Sequence, residues 1–253
     1  MNLPRIFVNS VPKSGTHLLL QIMLGIPGTR KVKGILGENA NYVKEMVPGE
    51  VTYGHLYYVK NTIDLLNNEN IRRFFIYRDP RDVTVSMVYY ALYMSETTFL
   101  HNYLKNTPGT VSDHIMTVIN GIKNLDVQTA ETLLHGHTEY PNINEFYNQF
   151  MDWSQDPNTF SVRYEELIDQ RNRHHILHNM AGFLEEDLKG LDLEKEKIAE
   201  MMNHNINPKM SPTFREGKTG GWKNHFTEEH KRRFKEVAGD LLIRLGYETD
   251  DHW

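Results

Sequence analysis

The chain contains no cysteine, and this absence excludes disulfides, thiolate nucleophiles and cysteine-ligated zinc sites. Long apolar runs are also missing: the run at residues 6–8 is too short for a signal peptide or a membrane span, and no other run reaches about eighteen residues. An excess of positive charge is missing too, since the 253 residues carry a net charge of −5. The sequence therefore predicts a soluble, cytoplasmic protein with no membrane span and no nucleic-acid partner.

Strand-like and helix-like segments alternate along the chain. Runs rich in β-branched and aromatic residues predict strands at 6–8, 51–59, 73–77 and 159–164. Apolar residues at helical spacing predict helices at 18–23, 61–68, 82–94, 174–184, 193–203 and 227–245. The last of these helices has Thr227 as its N-cap. This alternation predicts an α/β fold with a central parallel sheet flanked by helices, in one domain over residues 1–253.

The first segment that carries chemistry joins the first strand to the first helix and reads Pro12-Lys13-Ser14-Gly15-Thr16-His17. A glycine-containing turn that enters a helix exposes backbone N–H groups, and the helix dipole favours an anion there. Lys13 adds a positive charge, and Ser14 and Thr16 add hydroxyl donors. The segment predicts a P-loop-like phosphate-binding loop, although an ordinary capped helix with a surface lysine is the other interpretation. It is not a Walker A loop, because Lys13 precedes Gly15 instead of following it.

Two further segments place positive charge beside turns. Arg78 directly follows the strand at 73–77, and Ser86 lies one to two turns into the next helix, so a guanidinium and a hydroxyl are available for a phosphate. Glycines at 217, 220 and 221 permit a ligand to approach the backbone closely, with Arg215 and Lys218 beside them. Taken alone, these stretches also fit a solvated charge cluster and a flexible linker.

Together the segments resemble the sulfotransferases that use PAPS (3′-phosphoadenosine 5′-phosphosulfate). Residues 12–16 are similar to that family's 5′-phosphosulfate loop, and residues 77–86 to its 3′-phosphate segment. Residues 215–227 resemble its C-terminal Arg-Lys-Gly-x-x-Gly-x-Trp-Lys loop, and residues 163–167 resemble the segment that contacts adenine. The matches occur in the family's order and span most of the chain.

The resemblance implies an enzyme that moves a sulfuryl group from PAPS to the hydroxyl or amine of a small-molecule acceptor and leaves PAP. It implies that Lys13 also stabilises the departing oxygen, and that no metal is required. It leaves the acceptor and the oligomeric state open. The residues that it assigns to PAPS and PAP are Lys13, Ser14, Gly15, Thr16, His17, Arg78, Ser86, Tyr164, Arg215, Glu216 and Gly217.

The general base is assigned by a shorter match. Tyr53-Gly54-His55-Leu56 stands where the family's soluble members have Lys-Thr-His-Leu-Pro, so the resemblance implies that His55 deprotonates the acceptor for in-line transfer. A neutral imidazole, with an ordinary pKa near ~6.5, can accept a proton at physiological pH. A structural histidine at a strand end is the alternative.

The chain departs from the family pattern at several positions. Leu18 replaces the tryptophan that stacks on adenine, and Glu216 and Tyr53 each replace a lysine. In the segment that joins dimers, residues 223–232 carry a charge in place of an apolar contact.

Residues 95–158 match no motif of the family and read as mostly helical. By resemblance, this variable region shapes the acceptor site. The aromatic side chains near it fit either a cavity wall or a packed core, namely Tyr89, Tyr90, Tyr93, Phe99 and Tyr103, with Met94 among them. His135 and His137 are predicted to be surface residues, because no carboxylate lies at metal-ligand spacing.

Two other functions remain open from the sequence. A P-loop nucleotide kinase or NTPase shares the strand–loop–helix cradle, but it needs Mg²⁺ and a lysine directly after the loop's second glycine. A non-catalytic module that binds PAP or PAPS would keep the phosphate segments without a base. His55 separates the module from the enzyme.

Overall fold

The computed structural model describes residues 3–35, 37–211 and 217–253. The predicted site residues Arg215 and Glu216 lie outside the described residues. The strands are β1 (Ile6–Ser10), β2 (Arg30–Lys31), β3 (Glu50–Gly54), β4 (Arg72–Tyr77) and β5 (Thr159–Arg163). The α-helices are α1 (Thr16–Met23), α2 (Lys60–Asn68), α3 (Pro80–Tyr93), α4 (His101–Asn106), α5 (Val111–Asn120), α6 (Val127–Leu133), α7 (Ile143–Met151), α8 (Tyr164–Ile168), α9 (Gln170–Phe183), α10 (Glu185–Leu188), α11 (Lys195–His204) and α12 (Glu228–Arg244).

These elements belong to two compact units. The first comprises Met1–Arg78 and Gln149–Gly217, and the second comprises Asp79–Asn148 and Lys218–Trp253. The prediction of one domain over residues 1–253 stays a prediction. None of the described helices is both long enough and apolar enough to cross a membrane.

The first unit contains a parallel sheet with the strand order β2-β3-β1-β4-β5. β1 lies between β3 and β4, with Asn9 opposite Gly54 and Ser10 opposite Ile76. The chain therefore extends the sheet first to one side of β1 and then to the other. In such a sheet the carboxyl ends of the central strands border a crevice that suits a ligand. The predicted fold class, an α/β fold with a central parallel sheet flanked by helices, is confirmed.

Side chains of β1 alternate between the two faces of the sheet, as the pleat requires. Ile6 and Val8 are fully buried in the core that includes residues of α1, α9 and α11. Phe7 points the other way, and its ring lies 6.4 Å from the ring of Trp153. Trp153 donates its indole N–H to the Leu56 carbonyl at 2.8 Å, which ties this second layer to the chain just after β3.

The second unit is helical: α3 packs against α4 and α5, and α5 packs against α12. Asp79 caps α3 by accepting the Arg81 backbone N–H at 2.9 Å, and Pro80 takes the first helical position. Thr227 caps α12, as predicted. Its hydroxyl accepts the His230 N–H at 3.3 Å, and His230 Nδ1 accepts the Thr227 N–H at 3.0 Å.

Several predicted boundaries are wrong, and the structure gives the reason for two of them. The strand predicted over 51–59 ends at Gly54, because the Asn9 side chain binds both the N–H and the carbonyl of Leu56 at 2.9 Å and turns the chain away. α3 begins at Pro80, two residues earlier than predicted, because Asp79 is its cap. The short strand β2 was not predicted, since its two exposed basic residues have no apolar alternation.

Residues 95–158 are mostly helical, as predicted, with α4, α5, α6 and α7 among them. Six side chains were predicted to form either a cavity wall or a packed core, namely Tyr89, Tyr90, Tyr93, Met94, Phe99 and Tyr103. None of them is fully buried, and Tyr93 is 65 % exposed. The core interpretation is therefore wrong for Tyr93 and Met94, which are exposed, while the other four side chains are half-buried and the choice between the two interpretations stays open for them. His135 and His137 are exposed, as predicted.

Candidate active site

The loop between β1 and α1 is a tight turn with two residues in the left-handed region. Lys13 has φ 71° and Gly15 has φ 105°, and the Ser14 N–H donates to the Val11 carbonyl at 3.1 Å. A Cβ added to Gly15 would lie 2.6 Å from a ring carbon of Tyr164. Both the backbone angle and the neighbouring ring therefore require glycine at position 15.

This turn leaves hydrogen-bond donors for an anion. α1 begins at Thr16 without a side-chain cap, so its first N–H groups keep their capacity to donate. Ser14 is fully buried, and its hydroxyl has no hydrogen-bond partner among the described residues. Burying such a group costs about 1–3 kcal/mol unless a partner arrives. The loop fits the phosphosulfate end of PAPS, because oxyanions would accept from both kinds of donor.

Ser10, the last residue of β1, connects this loop to His55. Its hydroxyl lies 2.7 Å from Thr16 Oγ1 and 3.0 Å from His55 Nδ1. Its backbone carbonyl oxygen lies 3.1 Å from the same nitrogen. Because a carbonyl only accepts, Nδ1 carries the hydrogen, and the lone pair is on Nε2. The arrangement orients an imidazole for proton abstraction.

The surroundings favour the neutral form of His55. Burial lowers the pKa of His55, and the positive charges of Lys13 and His17 lower it further, while the hydrogen bond to Ser10 opposes them. The pKa of His17 is lowered as well, first by burial and then by Lys31 and Lys13. His17, His55 and Lys13 thus lie together near the carboxyl ends of β1 and β3, where burial and the charge of Lys13 favour the neutral form of each imidazole.

Arg78 and Tyr164 meet at the ends of β4 and β5. These strands pair with Tyr77 opposite Arg163, so the next residue of each chain segment is adjacent. The guanidinium carbon of Arg78 lies 4.6 Å from the centre of the Tyr164 ring. Tyr164 is only 8 % exposed and also contacts Gly15. Its ring therefore links Arg78 to the loop between β1 and α1, residues 11–15, which we call the anion loop.

In the second unit, Asp82 holds the backbone of the glycine-rich segment, residues 218–222. Its carboxylate accepts the backbone N–H groups of Gly220 and Trp222, each at 2.9 Å. The Trp222 ring lies 4.1 Å from the guanidinium carbon of Arg81, which is buried and paired with Asp79 at 2.7 Å. Sequence separation of more than a hundred residues hid this link between two of the predicted phosphate segments.

The structure places the predicted residues as follows. The first unit brings together Lys13, Ser14, Gly15, Thr16, His17, His55, Arg78 and Tyr164. Ser86 is half-buried on α3 of the second unit, and Gly217 has φ 66° at the last position of the first. Sequence reasoning missed Ser10 and Asp82. The available signal for Ser10 was a hydroxyl residue placed just after the apolar run at residues 6–8.

The family profile of the sulfotransferase domain matches residues 3–246. The chain belongs to the sulfotransferase family. A curated relative, cytosolic sulfotransferase 1 of Danio rerio, is 29 % identical over 116 residues. That match covers 41 % of this sulfotransferase and only 37 % of the relative.

Solved structures show the same fold. The mouse sulfotransferase SULT7A1, solved with PAP, has a TM-score of 0.65 at 20 % identity, over 94 % of this chain and 84 % of that one. Retinol dehydratase, solved with androsterone and PAP, has a TM-score of 0.56 at 18 % identity, over 94 % and 80 % of the two chains. At these identities the likeness concerns the fold alone. Among the described residues of this sulfotransferase, no three His, Asp or Glu side chains form a metal-binding group.

Proposed function

We propose that this sulfotransferase transfers a sulfuryl group from PAPS to a hydroxyl or amine of a small-molecule acceptor and releases PAP. The observation that carries the proposal is the position of the Ser10 hydroxyl. It lies 2.7 Å from Thr16 Oγ1 at the end of the anion loop and 3.0 Å from His55 Nδ1. Membership of the family and two neighbours solved with PAP support PAPS as the donor.

The anion loop is the proposed site of the 5′-phosphosulfate. The uncapped start of α1, the ammonium of Lys13 and the buried hydroxyl of Ser14 supply the donors, while Gly15, Thr16 and His17 complete the loop. Arg78 is proposed to bind the 3′-phosphate, with its guanidinium supported by the Tyr164 ring. The roles of Ser86, Arg215, Glu216 and Gly217 at the 3′-phosphate, and of Tyr164 at adenine, rest on the resemblance and stay predictions.

The proposed reaction is a direct in-line transfer. PAPS supplies the sulfuryl group when it is bound. Nε2 of His55 takes the proton of the acceptor hydroxyl or amine as the acceptor atom bonds to sulfur and the bridging S–O bond breaks. The electron pair of that bond goes to the departing PAP oxygen, and the Lys13 ammonium stabilises the negative charge there. The role of base suits His55, because burial and the charge of Lys13 lower its pKa and so favour the neutral form that accepts a proton.

The role of residues 95–158 in shaping the acceptor site rests on the resemblance and stays a prediction. Just before this region, Tyr93 and Met94 of the second unit are 65 % and 40 % exposed. Tyr89 lies beside Tyr93, with ring centres 5.7 Å apart. These surfaces are suited to contact an organic acceptor.

Titration of the protein with PAP, and separately with ATP and Mg²⁺, tests the donor site. PAP should raise the melting temperature and release heat on binding without any metal, because binding to the folded state alone stabilises it. Stabilisation by ATP and Mg²⁺ with no response to PAP would contradict the proposal and favour a P-loop kinase. PAP binding without transfer to any acceptor would favour the non-catalytic module.

A further inference from the structure

The edge strand β2 and the residues directly after it carry two lysines, Lys31 in the strand and Lys33 two residues later. After Lys31, the Val32 N–H donates to the Val51 carbonyl at 3.0 Å, and the Ile35 N–H donates to the Tyr53 carbonyl at 2.7 Å. The Ile35 carbonyl oxygen would lie 2.2 Å from a Cβ on Gly54, so this segment lies directly against β3. The side chains of Lys31 and Lys33 are exposed at this edge.

Lys31 belongs to a cluster of side chains with Tyr53 and His17, and His17 is near enough to the proposed base His55 to lower its pKa. The Nζ of Lys31 lies 5.0 Å from the centre of the Tyr53 ring, and that ring lies 5.7 Å from the imidazole of His17. His17 is near enough to both Lys31 and Lys13 for each charge to lower its pKa. Tyr53 precedes His55 by two residues along the same segment. The ammonium of Lys31 therefore lies on the β2 side of the proposed catalytic residues.

The carboxylates at this edge are occupied elsewhere. Glu50 pairs with Arg30 at 2.7 Å and also accepts the Val47 N–H at 2.9 Å. Lys31 has no ion pair within 4.0 Å among the residues that the structure describes, and it contacts an aromatic ring instead. Lys33 likewise lies over a ring, 3.9 Å from the centre of Tyr42. The pKa of Tyr42 is raised, first by burial and then by the charges of Glu50 and Glu45. Among the described side chains, the charge of Lys31 is therefore not neutralised by an ion pair, in a chain whose net charge is −5.

We propose that the acceptor is an anion, with a carboxylate, sulfate or phosphate group that Lys31 binds while His55 deprotonates its hydroxyl or amine. The inference rests on the proposed function and specifies its substrate class. A donor that already carries several negative charges repels an anionic acceptor unless positive charge stands on the acceptor side. Lys31 supplies that charge from its position over the Tyr53 ring.

Acceptors matched in size and different in charge test the proposal. We suggest 4-hydroxybenzoate, 4-hydroxybenzamide and 4-hydroxybenzamidine as anionic, neutral and cationic phenols, and galacturonate with galactose as a sugar pair. At saturating PAPS, kcat/KM should be about two- to fivefold higher for the anion than for its neutral partner, as for one partly exposed charge pair. Lys31→Glu should abolish this preference, measured as the ratio of kcat/KM between the anionic and neutral members of each pair. Lys209→Glu, an exposed lysine outside the cluster, is the matched control and should keep the preference.

The opposing outcomes are distinct. Neutral acceptors that match or exceed their anionic partners, or a panel in which no anion is sulfated, would overturn the proposal. A Lys31→Glu enzyme that loses affinity for PAP and keeps its acceptor preference would assign Lys31 to the donor and overturn it as well. Failure of the wild-type protein to bind PAP would contradict the proposed function itself. Normal PAP binding with transfer to neutral acceptors contradicts only the anionic class.

Discussion

Ser10 holds the imidazole of His55 through two of its own groups. Its hydroxyl oxygen and its carbonyl oxygen lie 3.0 and 3.1 Å from His55 Nδ1. The same hydroxyl contacts Thr16 at the start of α1, 2.7 Å away. The proposed base and the proposed anion loop are therefore positioned by one serine, so the chemistry of transfer and the binding of the donor share a fixed geometry.

Replacing His55 should separate transfer from binding. We expect His55→Ala and His55→Gln to lower kcat by about 10²-fold or more, since a positioned general base contributes 10²–10⁴-fold. PAP affinity, measured by calorimetry, should stay within about twofold of the wild type, because the phosphate donors lie on α1 and at Arg78. Turnover within about tenfold of the wild type would remove His55 from the role of base.

The activity should persist to a lower pH than an ordinary histidine base allows. Burial and two positive neighbours lower the pKa of His55, and the base acts only when it is neutral. As the pH falls, kcat/KM is therefore expected to decline through an apparent pKa below the ordinary ~6.5, with a plateau at neutral pH. An acceptor that does not titrate in this range is needed. An inflection at or above ~6.5 would show that the surroundings do not favour neutral His55.

Ser14 should be a residue that the free protein does not need for stability. Its buried hydroxyl has no partner among the described residues, so Ser14→Ala should leave the melting temperature unchanged or raise it. The same variant should weaken PAP binding about tenfold or more, because a hydrogen bond to an anion is lost. Thr16→Val is the stability control, and we expect it to lower the melting temperature because the Thr16 hydroxyl has a partner in Ser10. A destabilised Ser14→Ala protein with normal PAP affinity would contradict this assignment.

Lys13 allows backbone strain and chemistry to be measured separately. Its φ of 71° is costly for any residue with a Cβ, so Lys13→Gly should be more stable than Lys13→Ala by about 1 kcal/mol in denaturant titrations. Both variants should lose about 10²–10³-fold of turnover, because both lack the ammonium that stabilises the departing oxygen. Normal turnover in either variant would exclude Lys13 as that group.

Asp82 should control the glycine-rich segment of the second unit. Asp82→Ala removes the acceptor for the N–H groups of Gly220 and Trp222, and we expect a loss of about 2 kcal/mol or more in unfolding free energy. Under the resemblance, PAP affinity should fall as well. Asp82→Asn should be intermediate, since its amide offers one acceptor oxygen. Glu229→Ala, an exposed carboxylate on α12, is the matched control and should change neither quantity. Wild-type stability in Asp82→Ala would show that the two N–H groups find other partners.

The sequence predicts the elements that have a strong local signal. The apolar run around Phe7 and the aromatic run around Phe75 become central strands, and Thr227 caps α12. Lys13 and Gly15 stand out because few residues suit a turn that enters a helix. Arg78 stands out because it ends a strand. These local features were enough to predict the fold class and most of the candidate site.

The rest depends on contacts between residues far apart in the chain. The end of β3 is set by the Asn9 side chain, and the tautomer of His55 is set by the Ser10 carbonyl. Neither contact can be predicted from the residues next to Gly54 in the sequence. The exposed pair Arg30 and Lys31 becomes a strand only because β3 lies beside it. Such contacts depend on the tertiary fold, and the hydrophobic periodicity of the sequence does not predict them.

The central claim is most directly tested by following labelled sulfur. The protein is incubated with sulfur-labelled PAPS and the charge-matched acceptors, and both labelled product and released PAP are quantified. We predict that the wild-type protein moves the label to an acceptor with an equal amount of PAP, while the His55→Ala protein binds PAP and leaves the label on PAPS. Absence of label on every acceptor, or equal transfer by the His55→Ala protein, would contradict the account.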